Sequence, residues 1–207
     1  MYTPRSFREE DPEVLHDLIR RHGFGVLFAH GPGGPTATHL PFVLDIAEDG
    51  TRTLVAHMAR ANPQWKDFQA RQQVLVVFQG AHSYISPTWY QEPVAVPTWN
   101  YAAVHVYGVP RLVEDPAVLR TQVEALVRQY EGPGPDGWDM APAEPKMEAL
   151  LRAIVGFEIP VDRMEGKWKF NQNRSREDRE GVVRALEGAE DPLVRETAEI
   201  MRRGLEE

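Results

Sequence analysis

The chain has 207 residues, of which 42% are hydrophobic and 26% charged, and its 23 Lys and Arg against 31 Asp and Glu leave a net charge of −8. This is the composition of a globular protein and excludes a disordered chain, while the acidic balance argues against a dedicated DNA-binding protein. The sequence contains no cysteine, which excludes disulfides, thiolate catalysis and Cys-ligated metal sites.

The first predicted element is a helix that begins at Asp11-Pro12 and ends near Gly23. Asp can cap the free amides of a helix, and Pro suits the first helical position because its missing N–H costs nothing there. Leu15, Leu18 and Ile19 fall on one face of this helix. The pattern therefore predicts an amphipathic helix packed on a core.

Five segments with strand character follow: 24–29, 36–46, 52–57, 74–79 and 96–109. Glu48-Asp49-Gly50 is a hairpin signal between two of them. Consecutive strands with hairpin links and few helices between them indicate an antiparallel sheet, which closes most economically as a barrel.

The rest of the chain is predicted to be mainly helical. A second helix begins at Asp115-Pro116, a weaker helical pattern runs from Met147 to Ile154, a strand covers 154–164, and a last helix begins at Asp191-Pro192. The segment 131–137, EGPGPDG, is a loop too short to separate domains. We therefore expect one α+β domain over residues 1–207, with a helical C-terminal tail.

Several function classes lack their sequence signals. The chain has no GxSxG elbow, no GxGxxG or GxxxxGK[ST] phosphate loop and no HExxH, and its seven histidines show no metal-ligand spacing. No apolar run is long enough to span a membrane, and the first residues lack a secretory signal. We expect a cytoplasmic protein without a metal or a membrane segment, and no catalytic residue is assigned.

Four polar and aromatic stretches could bind a ligand, and one of them, 78–90, carries hydroxyl groups among its aromatic residues. In the run HMARANPQW, Arg60 lies near the end of a predicted strand, where a guanidinium suits a phosphate or carboxylate; pairing with a surface acid is the alternative. In 96–107, alternation places Trp99, Tyr101, His105 and Tyr107 on one face, as a wall for a planar ring, a core or a subunit interface. In 165–174, Lys167 and Lys169 point to one side and could neutralise a phosphate, or belong to a solvated basic face.

Together these features match a phosphorylated planar cofactor, and FMN and pyridoxal phosphate both fit. The motifs MYTPRSF, THLPF, HMARANPQW, FQGAHSYISPTWY, VPTWNYAAVHVYG and EGKWKFNQNR, in that order, resemble the PaiB family of FMN-binding negative transcriptional regulators. The resemblance covers nearly the whole chain.

The resemblance implies an antiparallel split β-barrel with peripheral helices, related to the pyridoxamine phosphate oxidase group, and a homodimer with FMN at its interface. It implies that the HMAR run holds the phosphate and ribityl chain, with Arg60 as main anion ligand, and that Lys169 comes from the C-terminal side, in the same protomer or its partner. The implied cofactor-binding residues are Thr36, Thr38, His39, His57, Met58, Ala59, Arg60, Trp99, Asn100, Tyr101, Lys169, Gln172 and Asn173.

The regulator function agrees less well with the residues than the cofactor does. No helix-turn-helix is evident, the net charge is −8, and only the segment 167–176 is basic, so an indirect route to transcription is as reasonable as direct DNA binding. The alternatives are an FMN-dependent oxidoreductase that acts on a small molecule, by analogy of fold, and a binding module without cofactor.

Overall fold

The computed structural model describes residues 1–132, 138 and 140–206, and within them it contains five α-helices and nine β-strands. The helices are α1 (Pro12–Arg21), α2 (Pro116–Glu131), α3 (Met147–Arg152), α4 (Arg176–Leu186) and α5 (Pro192–Glu206). The strands are β1 (Arg8–Glu9), β2 (Phe24–Gly31), β3 (Gly34–Pro41), β4 (Val43–Ile46), β5 (Arg52–Ala59), β6 (Val74–Ile85), β7 (Thr98–Gly108), β8 (Arg111–Val113) and β9 (Ile154–Lys169). The 3₁₀ helices are Arg5–Phe7, Pro63–Ala70, Pro87–Trp89 and Ala141–Lys146.

The three helices predicted from an Asp-Pro pair are confirmed. The Oδ1 atoms of Asp11, Asp115 and Asp191 accept hydrogen bonds from the backbone N–H two residues later, at 2.9, 2.8 and 2.8 Å. Each carboxylate therefore satisfies one of the amides that a helix start leaves unpaired.

The predicted antiparallel sheet is also confirmed. Its hydrogen-bonded order is β3-β2-β6-β7-β9-β5-β4, with β1 and β8 each paired to β9. The registers of β2 with β3, β2 with β6, β4 with β5, β5 with β9, and β1 and β8 with β9 are all antiparallel. None of the helices in the described part of the chain combines the length and apolar character that a membrane span needs.

The chain divides into two compact units. The first unit comprises Met1–Arg21, Gln79–Val104 and Glu165–Glu207. In it α4 packs against α5, and its buried apolar residues come from α1, α4, α5 and the strand segments, with Ile19, Ile85, Val182 and Met201 almost fully enclosed.

The second unit comprises His22–Phe78 and His105–Met164. Its core contains a group of aromatic rings: Phe42 contacts Phe78 and Phe157 at centroid distances of 5.5 and 6.5 Å, and Phe68 contacts Phe157 at 5.1 Å. Leu119, Met147 and Leu151 form a separate apolar cluster between α2 and α3. Whether the two units act as one domain stays a prediction.

Some predicted boundaries were wrong. The segment 36–46 is two strands, because Phe42 turns its fully buried side chain into the core and its N–H donates to the carbonyl of Gly23 at 2.8 Å. β6 continues to Ile85, β9 continues to Lys169, and α4 was not predicted. The predicted loop 131–137 lies, from residue 133 onward, outside the described residues.

Candidate functional site

A cavity of about 450 Å³ in the second unit, called here the hairpin cavity, lies between the β2–β3 hairpin and the turn after β5. It brings together two of the predicted site residues with side chains from the start of the 3₁₀ helix Pro63–Ala70. Its lining residues are Gly31, Gly33, Gly34, Thr36, Ala37, Thr38, Asn62, Pro63, Gln64 and Asp67.

Gln64 is the most constrained polar side chain of this cavity. It is only 3% exposed, and its Nε2 donates to Thr36 Oγ1 at 3.0 Å and to the Leu27 carbonyl at 3.3 Å. These two bonds fix the orientation of the amide. Its buried Oε1 has no hydrogen-bond partner among the described residues.

Asn62 connects the turn to β3. Its Nδ2 donates to Thr38 Oγ1 at 3.0 Å, and its Oδ1 accepts the Gln64 N–H at 3.0 Å, which caps the 3₁₀ helix that Pro63 begins. Thr38 accepts from an amide, so its hydroxyl proton remains for another acceptor, whereas the Thr36 hydroxyl donates to the Ala29 carbonyl at 3.5 Å. The cavity wall therefore offers both donors and acceptors.

Arg60 lines a different cavity from Thr36 and Thr38. Its Nε and Nη2 donate to the carbonyls of Arg152 and Ile154, both at 2.7 Å, and its own backbone N–H donates to the Ala153 carbonyl at 2.9 Å. No carboxylate of the described residues forms an ion pair with its guanidinium. Arg60 is thus a fixed cation whose remaining N–H groups can serve an anion.

This second cavity, called here the helix cavity, has a volume of about 550 Å³ and also belongs to the second unit. The 3₁₀ helix Pro63–Ala70, β8, α2, α3 and β9 contribute to it. Its lining residues are Arg60, Trp65, Gln69, Leu112, Val113, Glu114, Pro116, Leu119, Glu148, Leu151, Arg152 and Val155.

The remaining predicted residues of the second unit occupy varied environments. His57 is half-buried on β5, and this burial lowers its pKa below the ordinary value of 6.5. Met58 points into the core, whereas Ala59 is exposed at the end of the strand. His39 is exposed on β3 and stacks on Phe24 at a centroid distance of 6.1 Å.

In the first unit, β7 turns neighbouring predicted residues to opposite sides. Trp99 is 54% exposed and stacks on His82 at 6.1 Å, while Asn100 is fully buried. The Nδ2 of Asn100 donates to the Met201 sulfur at 3.3 Å, and its Oδ1 has no partner in the described part of the chain. Asn100 therefore faces the interior of this unit, and Tyr101 is half-buried on the Trp99 side.

Lys167 and Lys169 lie on one side of β9, as predicted. The Lys169 ammonium donates to Thr98 Oγ1 and to the Trp99 carbonyl, and burial, followed by the charge of Lys167, lowers its pKa. Lys167 is 9% exposed, donates to the Tyr2 carbonyl at 3.1 Å and lies 5.2 Å from the Tyr101 ring centroid. Trp99, Tyr101 and Lys169 therefore form one local group.

The residues that follow β9 form a tight turn. Asn171 has a φ of 62°, in the left-handed region, and its side chain is buried. Gln172 closes the turn, because its Oε1 accepts the Phe170 N–H at 2.8 Å and its Nε2 donates to the Trp168 carbonyl at 2.7 Å. Asn173 is exposed.

The site prediction missed two residues that the structure places in the hairpin cavity. Asn62 and Gln64 follow the predicted run HMAR directly, and the Asn-Pro turn was the available signal, since Asn before Pro is a strong cap. The side chains that the structure describes form no cluster of three or more metal-binding groups.

Comparison with known proteins gives a family and close relatives. The family model described as "Putative FMN-binding domain" matches residues 1–163. The chain is 37% identical over 204 residues to the "Protease synthase and sporulation protein PAI 2" of Bacillus subtilis (strain 168), which covers 97% of this chain and 96% of that protein. An uncharacterized protein of Emericella nidulans is 33% identical over 231 residues, covering 90% of each chain.

Solved structures share the fold at low sequence identity. A "putative 5-nitroimidazole antibiotic resistance protein" from Bacteroides thetaiotaomicron matches with a TM-score of 0.58 and 18% identity over 77% of this chain and 85% of its own. The flavocytochrome Anf3 from Azotobacter vinelandii matches with a TM-score of 0.59 and 15% identity over 81% of this chain and 72% of its own. The predicted split-barrel α+β fold is confirmed.

Proposed function

This chain belongs to the family described as "Putative FMN-binding domain", and from that premise we propose that it binds FMN and works as a flavin-binding regulatory protein. When bound, FMN supplies hydride or single-electron chemistry, while the protein supplies orientation and electrostatics. The residues of this chain have to hold the ring, the hydroxylated chain and the phosphate of the cofactor.

The unpaired Oε1 of Gln64 is the observation that carries the proposal. A buried acceptor without a partner costs about 1–3 kcal/mol, and a ligand N–H or O–H that reaches it removes this cost. The ribityl hydroxyls and the pyrimidine edge of a flavin both carry such donors. The hairpin cavity, at about 450 Å³, is within the range of roughly 300–1,000 Å³ that small-molecule sites occupy.

The phosphate is proposed to lie outside the hairpin cavity. Among its described lining residues there is no cation, and Asp67 contributes a carboxylate that would repel a phosphate. Arg60, with its guanidinium held by two carbonyls, is the proposed phosphate ligand. Thr36, Thr38 and the neighbouring His39 are proposed to border the uncharged parts of the cofactor.

The residues of the first unit are proposed to complete the site from a partner protomer. Lys169 is a half-buried cation beside an exposed indole, Trp99, which is a suitable pair for an anionic aromatic ligand. Gln172 and Asn173, in the turn after β9, are proposed to add polar contacts. This arrangement requires a homodimer.

The regulatory role is proposed on the similarity to the Bacillus subtilis relative, whose name connects that protein to protease synthesis and sporulation. Since the net charge of this chain is −8, we propose that regulation proceeds through the flavin or a small molecule and not through a broad DNA-binding surface. The alternative is an FMN-dependent oxidoreductase. Rapid bleaching of bound flavin by NADH or NADPH with turnover would favour that enzyme.

The test is a titration of the purified apoprotein with FMN, followed by flavin absorbance and fluorescence. Wild type should bind one FMN per chain. Gln64→Leu should raise the Kd about tenfold or more, which corresponds to roughly 1.4 kcal/mol, because it removes the acceptor and the amide that orients Thr36. Thr38→Val, which keeps the side-chain volume, should weaken binding less.

Gln72→Leu is the control, because Gln72 is exposed just after the same 3₁₀ helix and lines neither cavity. Its FMN affinity should equal that of wild type. A folded Gln64→Leu protein with unchanged FMN affinity would move the flavin away from this cavity, and a wild-type protein that stays colourless after loading and desalting would contradict the proposed function.

A further inference from the structure

The helix cavity is not used by the proposed flavin site, apart from Arg60, and its chemistry differs from that of the hairpin cavity. Three of its lining side chains, Leu119, Leu151 and Val155, are buried, and the half-buried Leu112 and Val113 lie beside them. The indole of Trp65 adds a flat aromatic surface. We propose that this cavity is a second small-molecule site and that its ligand is an uncharged, flat aromatic molecule.

The apolar wall is part of the fold and not a gap left by loose packing. Leu119 and Leu151 belong to the apolar cluster between α2 and α3, against which Val113 and Ile154 also pack. β8 is held to β9 by a regular antiparallel register in which Val113 faces Gly156. A wall built from paired strands and packed helices keeps its shape, and such preformed apolar cavities are the usual small-molecule sites.

The charged groups of the cavity favour a neutral ligand. Its lining contains two cations, Arg60 and Arg152, and two carboxylates, Glu114 and Glu148, so the charges balance. Arg152 forms an ion pair with Glu148 one turn away on α3, and the Arg60 guanidinium already donates to two carbonyls. An ion that enters gives up its hydration against a lining with no net charge, whereas an uncharged ring has little hydration to lose and gains contact with the apolar wall.

Trp65 supplies a direct reporter for this site. Its indole N–H donates to the Arg60 carbonyl at 3.1 Å, which holds the ring in place, and the side chain lines the helix cavity and not the hairpin cavity. A ligand in the helix cavity should therefore change Trp65 emission without occupying the residues that are proposed to hold the flavin ring. The inferred site shares only Arg60 with the proposed flavin site.

The probe is N-phenyl-1-naphthylamine, an uncharged aromatic amine whose fluorescence rises in apolar surroundings. Its anionic counterpart, 8-anilino-1-naphthalenesulfonate, adds a sulfonate to the same framework. With the full-length protein we expect saturable binding of one neutral probe per chain, with loss of tryptophan emission that is reduced in Trp65→Phe. The sulfonate should bind at least tenfold more weakly, and saturating FMN should leave the neutral probe bound.

Two variants locate the probe. Val113→Phe should fill the cavity and raise the Kd of the neutral probe at least tenfold, and Leu112→Gln should raise it several-fold with a smaller change of volume. Val118→Phe, at an exposed position of α2 outside the lining, is the control and should bind like wild type. Thermal melting of each variant verifies that it is folded.

Several outcomes would overturn the inference. The absence of saturable binding, or equal binding by folded Val113→Phe and Val118→Phe, would show that the helix cavity holds no such ligand. Tighter binding of the sulfonate would contradict the neutral ligand class. Displacement of the probe by FMN would make the cavity part of the flavin site. If FMN fails to bind while the neutral probe binds as expected, only the proposed function is lost.

Discussion

Arg60 combines a proposed role in ligand binding with a role in the fold. The sequence predicts it as an anion ligand because a cation near a strand end suits a phosphate. The structure shows that the guanidinium also ties the end of β5 to the start of β9 through the carbonyls of Arg152 and Ile154. If a variant of Arg60 loses FMN affinity, its free energy of unfolding must therefore be measured as well.

For Arg60→Ala we expect two separable effects. The free energy of unfolding should fall by about 1–3 kcal/mol, since two hydrogen bonds from a charged donor are lost at an exposed site. The FMN Kd should rise at least tenfold on the folded protein, since the proposed phosphate ligand is gone. Urea unfolding and FMN titration measure the two effects.

Arg20→Ala, at an exposed position of α1, is the charge-matched control and should change neither quantity appreciably. If Arg60→Ala loses stability but retains full FMN affinity, the guanidinium is a structural connection only and the phosphate is bound elsewhere.

His57 should make stability depend on pH. Burial lowers its pKa in the folded state below 6.5, so the unfolded chain takes up a proton at a higher pH than the folded one. The free energy of unfolding should therefore decrease as the pH falls through about 6.5 and level off below the folded-state pKa. In His57→Gln this decrease should be smaller, as measured by urea unfolding at steps between about pH 7.5 and 5.

His105 also has a pKa lowered by burial, so part of the pH dependence should remain in His57→Gln and diminish further in the double variant. His30→Gln, at an exposed position, is the control. An unchanged pH profile in His57→Gln would mean that the imidazole is solvated in the folded protein.

At the scale of elements, the sequence predicts what local chemistry determines. The Asp-Pro helix starts were predictable because capping is local. The Asp carboxylate accepts a hydrogen bond from the backbone N–H two residues later in the sequence. α4 was missed, although Ser175 caps it by accepting the Asp178 N–H at 3.1 Å, because its buried Val182, Val183 and Leu186 are few among charged residues. The weak apolar periodicity of α4 therefore led the prediction to miss a helix with a clear N-terminal cap.

Strand ends were less predictable than helix starts. β6 continues through the polar run 79–84 because alternate residues still face the interior: Ala81 and Ser83 are buried while Tyr84 is exposed. The end of β9 pairs with β1, which is distant in the sequence, and no local pattern predicts such a pairing. The predicted strand therefore ended before Lys169. The same non-local packing placed Gln64 beside Thr36, and this is why the hairpin cavity was only half predicted.

The capping interpretation of α2 has a direct test in Asp115→Ala. The Asp115 carboxylate accepts the Ala117 N–H at 2.8 Å, so its loss should lower the free energy of unfolding by about 0.5–2 kcal/mol. Asp115→Asn, which retains an acceptor, should restore most of it. Urea unfolding of the three proteins checks the order, and equal stability of the Ala and Asn variants would show that the cap contributes nothing.

At the scale of the whole molecule, the basic segment 167–176 is poorly suited to DNA. Lys167 is almost fully buried, Lys169 donates to Thr98 and Trp99, and Arg176 pairs with Glu180 at 3.0 Å. Charges engaged in this way release few counterions on binding a phosphate backbone. With a net charge of −8, the molecule offers little support for a broad DNA-binding surface.

The dimer with a shared site, as proposed above, predicts complementation between two defective chains. If the flavin contacts Gln64 of one protomer and Lys169 of the other, Gln64→Leu and Lys169→Met homodimers should each bind FMN weakly. Partial unfolding and refolding of an equimolar mixture should make half of the dimers mixed. In a mixed dimer one site carries both substitutions and the other carries none, so about one quarter of all sites should recover wild-type affinity.

The fraction of recovered sites shows whether the two residues at one flavin come from one chain or from two, because it depends only on which chain supplies each residue. If Gln64 and Lys169 of the same chain serve one flavin, every site in the mixture carries a substitution and no high-affinity binding returns. A mixture of Gln64→Leu with Thr38→Val is the control, since both residues line the same cavity of one chain. Titration of the refolded mixtures with FMN gives the number of tight sites, and sedimentation gives the fraction of dimer.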